Sequence, residues 1–189
     1  MPPVILVFTV TGSALFVISC FFLGWGAKAD DSGSNPLKTV GWIGMVAGIV
    51  DLLSALYIVT RSGLPAAAGT SAADAATASN GALLLGGLVG FYGLFFTSVG
   101  AAAFWGLDLR PIANLAIPVG LVPIAFWGFF EGSTLLHSIL IVWLVAFWSV
   151  TATVYGKLPA KVLGAILLIT AIWTFFLPVV LLVTRGALF

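Results

Sequence analysis

Apolar residues fall into six long blocks, at about 4–24, 39–60, 81–105, 112–130, 135–155 and 162–184, with polar or turn-forming clusters between them. Each block is near the roughly 20 residues that an α-helix needs to cross a bilayer core. Apolar positions fill each block rather than marking one face, which predicts helices surrounded by lipid and by one another rather than by water. The expected architecture is all-α: a polytopic membrane protein built as one six-transmembrane-helix bundle over residues 1–189.

The interruptions carry their own information. Trp25 to Lys38, with Lys28, Asp30 and Asp31 beside Ser, Gly, Asn and Pro, reads as a polar turn. Residues 61–80, RSGLPAAAGTSAADAATASN, read as a flexible external loop with little to bury, and Asn80 as the cap of the third helix. The fourth block contains Pro118 and Pro123, so it is expected to kink or unwind locally. Gly44/Gly48 and Gly86/Gly90 have the spacing that lets two helix backbones approach closely in lipid.

Composition sharpens this picture. The chain is 61% hydrophobic and 7% charged, against about 25% charged in an ordinary soluble domain. A net charge of +1 gives no reason to expect a nucleic-acid partner. The single cysteine, Cys20, excludes an intrachain disulfide. Val17-Ile-Ser-Cys20 looks like a lipoprotein cleavage box, but residues 1–27 hold no Lys or Arg, so Cys20 is read as a packing residue of a retained first span. One His and no HExxH-type cluster argue against an enzyme, a metal site or a cofactor; Ser133 and Ser138 beside His137 leave a Ser/His dyad open. Lys28, Lys38, Arg110, Lys157 and Lys161 lie in the odd connectors, whereas Arg61 and Arg185 lie in the even connectors and the tail. Positive residues favour the cytoplasm, so both termini are expected outside.

Phe91-Tyr92-Gly93 and Gly106-Leu-Asp-Leu-Arg-Pro111 resemble the AmiS/UreI family of urea and short-chain amide channels, with Leu109 where that family has an aromatic residue. The resemblance implies a homohexamer in the bacterial inner membrane, each protomer with its own pore. It also implies passive flow of urea or short aliphatic amides such as acetamide towards a cytoplasmic amidase or urease. Acid-gated members carry several histidines and acids in their external loops; residues 61–80 here have no histidine, and Thr170 stands nearest the place of a glutamate in the last helix. Both departures point to a channel that acid does not gate.

A planar neutral amide needs flat walls to stack on and a few polar groups to replace its water. Trp143, Phe147 and Thr151 recur with Leu140 at helical spacing, with Trp148 as a second candidate; Thr170 and Thr174 share a face of the last helix; Phe91, Phe95 and Ser98 supply a third wall. Each of these side chains has packing against neighbours or lipid as its alternative reading. Asp51, near the middle of the second span, is the costliest residue to place in lipid. Two readings of it stay open: an acceptor facing the solute, or a structural hydrogen-bonding group. A third makes the protein a proton-coupled small-solute transporter with Asp51 as the proton site. Asp108 and Arg110 are expected to close their turn by hydrogen bonds.

Overall fold

A computed structural model describes residues 3–25, 34–62 and 71–186. The first-connector residues Lys28, Asp30 and Asp31, and residues 63–70 of the expected external loop, lie outside the described residues. The described chain is helical throughout: α1 Pro3–Leu23, α2 Pro36–Ser62, α3 Ala72–Trp105, α4 Arg110–Leu121, α5 Thr134–Val154, α6 Ala160–Thr170 and α7 Leu177–Arg185. Among the described residues, five helical stretches are long and apolar enough to cross a membrane: Val4–Leu23, Pro36–Arg61, Ala76–Trp105, Thr134–Val154 and Ala160–Arg185. With a chain that is 61% hydrophobic, this makes a multi-pass membrane protein. Arg110–Phe126 is a shorter apolar helix.

Local chemistry sets the ends. α3 starts at Ala72, where a loop was expected, because Ser71 caps it: the Ser71 hydroxyl accepts from Asp74 N at 3.1 Å and donates to Asp74 Oδ2 at 2.6 Å. The alanines that follow are the strongest helix formers, so Asn80 lies inside the helix and Ser71 takes the cap. At its other end Gly106, at φ 71, supplies the left-handed residue that stops the helix. α4 gives way at Leu121 to 3-10 turns through Val122–Phe126 and Gly128–Phe130; Pro123 has no N–H to continue an α-helical ladder. Between α6 and α7 the chain widens into a six-residue π-helical turn, Ala171–Phe176, followed by Pro178.

α2 packs on α3 more extensively than any other pair of elements. On α3 the contact uses Gly86, Gly93 and Gly100, one every seventh residue; on α2 it uses Gly41, Gly44 and Gly48. A Cβ on Gly100 would sit 2.6 Å from Gly41 O, and one on Gly41 would sit 2.6 Å from Phe104 N. At Gly41, Gly48, Gly93 and Gly100 backbone therefore meets backbone, and no side chain larger than hydrogen fits; at Gly86 the neighbour is the Val59 side chain. Each helix then touches its chain neighbours: α1 packs on α2, α3 on α4, α4 on α5, α5 on α6, and α1 returns to α6, the π turn and α7. These contacts close the described helices into a ring, and the main hydrophobic cluster lines its inside, from Leu15 through Tyr92, Phe95, Leu140, Trp143 and Phe147 to Phe175.

Candidate functional site: an aromatic-walled cavity

Inside the ring lies a cavity of about 470 Å3. Its wall takes residues from both ends of the helices: Val4 and Phe22 of α1, Leu85 and Val99 of α3, Leu136 and Val154 of α5, Leu163 of α6 and Leu182 of α7. Along α5, positions 136 to 154 span about 27 Å at 1.5 Å per residue, close to the roughly 30 Å of a bilayer core. So small a volume spread over that length makes the cavity long and narrow rather than a round chamber. Phe129 and Phe130, from the 3-10 segment, line it near the start of α5.

Four rings meet at mid-depth. Tyr92 stacks parallel on Phe147, with centroids 5.5 Å apart and planes at 7°, and meets Trp143 edge-on at 4.6 Å. Phe95 meets Phe147 edge-on at 4.9 Å. Tyr92 is 8% exposed, it lines the cavity, and its hydroxyl has no hydrogen-bond partner. A buried polar group left unpaired costs about 1–3 kcal/mol; this hydroxyl is enclosed among the rings, and the cavity surface itself is almost wholly apolar. The other buried side-chain hydroxyl without a partner among the described residues, Thr97, lies on the far face of α3, against Gly48.

The residues singled out from the sequence divide between the cavity and its supports. Trp143, Phe147, Phe95, Asp51 and Thr170 line it, as does Leu140. Thr174 sits behind Trp143, fully buried, and its hydroxyl accepts from the Trp143 indole N–H at 2.9 Å. Trp148, Thr151, Phe91 and Ser98 are not in the wall. Trp148 is 48% exposed and donates through Nε1 to Ile117 O at 3.3 Å, while Thr151 Oγ1 donates to Ala113 O at 2.7 Å. With Tyr155, whose hydroxyl donates to Asn114 Oδ1 at 2.7 Å, they tie the short α4 to α5. Phe91 packs against the core from α3, and Ser98 is half-buried.

Asp51 is 0% exposed. The Thr11 hydroxyl of α1 lies 2.7 and 2.8 Å from its two carboxyl oxygens, which ties α1 to its neighbour α2. Sequence reasoning passed over Thr11 because its partner is forty residues away. It also used Tyr92 only as part of a motif, although a lone tyrosine inside an apolar third span was a signal in itself. The His137 ring stacks on Trp127, 4.0 Å between centroids, and its Nε2 lies 2.9 Å from Trp127 O. Ser133 caps α5, and the Ser138 hydroxyl donates to Leu135 O and accepts from Trp173 Nε1; each of the three has a partner other than its neighbours in a dyad. In the connector, Arg110 Nε and Nη2 donate to the Asp108 carboxylate at 2.9 and 2.6 Å, and Arg110 N donates to Asp108 Oδ1 at 2.9 Å. The side-chain hydrogen bonds from Arg110 hold the Asp108 carboxyl below the usual carboxylate range.

No family model matches this chain, and no curated protein matches it either. Solved structures do. The urea channel of Helicobacter pylori, seen by cryo-electron microscopy in its closed state, superposes with a TM-score of 0.75 at 16% identity, over 97% of this chain and 99% of that one. Its crystal structure superposes with a TM-score of 0.72 at 16% identity, over 97% and 98%. Over 97% of its length the chain therefore shares the fold of that channel.

Proposed function

We propose that this protein is a passive membrane channel for urea or short aliphatic amides, not an enzyme. One observation carries the reading: the rings of Tyr92, Trp143, Phe147 and Phe95 meet in the wall of a cavity nearly as long as a bilayer is thick. A flat, uncharged amide stacks on such rings without being held tightly. The fold shared with the Helicobacter pylori urea channel and the Gly106–Pro111 connector motif support the same reading.

In this reading Arg110–Phe126 completes a six-span domain, and the basic residues of the odd connectors hold those connectors in the cytoplasm, leaving both termini outside. The protein sits in a bacterial inner membrane as a homohexamer, a state that rests on the resemblance alone, and feeds a cytoplasmic amidase or urease. Flux through it is not gated by acid.

Proteoliposomes test this. Urea and acetamide should equilibrate faster than in empty liposomes, without an ion gradient and in proportion to concentration. Uphill uptake driven by an imposed pH gradient, and lost in Asp51→Asn, would instead establish the proton-coupled transporter.

A further inference from the structure

Trp143 is the one ring at mid-depth whose polar edge is already engaged. Its indole N–H donates to Thr174 Oγ1 at 2.9 Å, and the Thr174 hydroxyl donates in turn to Thr170 O at 2.8 Å. Both threonines are buried, at 0% and 2% exposed. Thr174 belongs to the π-helical turn Ala171–Phe176, where Leu177 N reaches back five residues to Ile172 O. Such turns widen a helix locally and recur where a side chain must be re-aimed. Phe175, in the same turn, lies against Trp143 with centroids 6.0 Å apart.

We infer that Thr174 is a positioning residue. It holds the Trp143 indole against the wall, sets how far that ring stands from Tyr92, and so sets the largest amide that passes. This rests on the reading of the cavity as the solute path. The relay also consumes the indole N–H, and the Tyr92 hydroxyl is itself enclosed among the four rings. A solute there meets an almost wholly apolar wall, so ring position rather than hydrogen-bond count decides what fits.

The test compares Thr174→Val, which keeps the shape and removes the acceptor, with Thr174→Ser, which keeps the acceptor. Stopped-flow flux of urea and butyramide is read in proteoliposomes, together with the Trp143 indole N–H resonance of 15N-tryptophan-labelled protein in detergent. Thr174→Val should raise the butyramide-to-urea flux ratio by about threefold to tenfold, the scale of one lost hydrogen bond. It should also move the Trp143 indole resonance, while Thr174→Ser keeps both near wild type. In a Trp143→Phe background Thr174→Val should have no further effect on the ratio, because the bond it breaks is already absent. An unchanged ratio in a folded Thr174→Val protein, or the same change in the Trp143→Phe background, overturns the inference. Should Thr174→Val fail to fold, Trp143→Phe alone must raise the ratio, and an unchanged ratio there is equally fatal. If wild-type protein passes neither solute, the channel reading fails, whereas the indole resonance still reports whether Thr174 holds the ring; a resonance unmoved in Thr174→Val refutes that as well.

Discussion

The two faces of α3 are built on opposite rules. One face carries Gly86, Gly93 and Gly100 and closes on α2, at Gly93 and Gly100 with backbone against backbone. The other carries Leu85, Leu88, Tyr92, Phe95 and Val99, at spacings of three and four, and stands back from its neighbours across a cavity. Both stripes repeat every seven residues, so both drift together by about 20° per repeat around the same helix and keep their separation along it. Close approach on one side gives a rigid post; on the other side, rings too large to interlock fully leave a passage. A cavity costs the packing of the atoms that line it, and the glycine seam supplies van der Waals contact where no side chain intervenes.

Filling the seam should produce the largest effect. Gly100→Val puts carbon where Gly41 O and Met45 Cα already stand. Overpacking costs about 1–3 kcal/mol where a core can adjust, and here backbone would have to move. We expect Gly100→Val to fail to yield a monodisperse protein on gel filtration in detergent, whereas Gly87→Ala, on the same helix with open space around it, should behave as wild type.

Next comes the tie that holds α1 to α2. Thr11→Val removes the hydroxyl that Asp51 relies on and leaves a buried carboxyl without it. The expected loss is about 1–3 kcal/mol, read as a lower midpoint of thermal unfolding, with little change in the urea-to-acetamide ratio. A changed ratio at unchanged stability would move Asp51 from the frame to the solute path.

The cavity face should respond in the opposite sense. Tyr92→Phe removes an unpaired hydroxyl, so stability should hold or rise by about 1 kcal/mol. Urea flux should stay near wild type, because the hydroxyl is enclosed among the rings rather than presented to the cavity. A several-fold fall in flux would bring the hydroxyl to the solute instead.

The smallest effect lies in the α3–α4 connector. Asp108 has its folded value lowered by Arg110, so its contribution is present above the ordinary carboxylate range and is lost as pH falls through the lowered value. The protection factor of the Arg110 amide against hydrogen exchange should therefore stay constant from neutral to mildly acidic pH and fall only in strong acid. In Asp108→Asn that acid-dependent step should vanish. Both groups are exposed, so the effect should remain confined to the turn.

These two faces were not equally legible in the amino-acid sequence. The apolar runs and the glycine spacings already outline helices and a close seam. What they do not contain is which partner each stripe meets. Trp143 and Trp148 are five residues apart, and thus about 140° apart around a helix; the sequence offered both, while the fold turns the first to the cavity and ties the second to Ile117. Thr11 and Asp51 meet only because α1 packs on α2. The early start of α3 was hidden because alanine-rich, low-complexity sequence reads as loop until Ser71 and Asp74 are recognised as a cap. The π turn has no simple hydrophobic signature, so the pairing of Thr174 with Trp143 emerges only in three dimensions.

The central claim is that solute crosses through the cavity between α1, α3, α5 and α6. Ala146 lines it at mid-depth and is buried, so Ala146→Trp puts an indole into the passage itself. Stopped-flow light scattering on proteoliposomes should show fast acetamide entry for the wild-type protein and, for a folded Ala146→Trp protein, entry as slow as in empty liposomes. Entry through Ala146→Trp as fast as through wild type would mean that the solute goes elsewhere, and the account would be wrong.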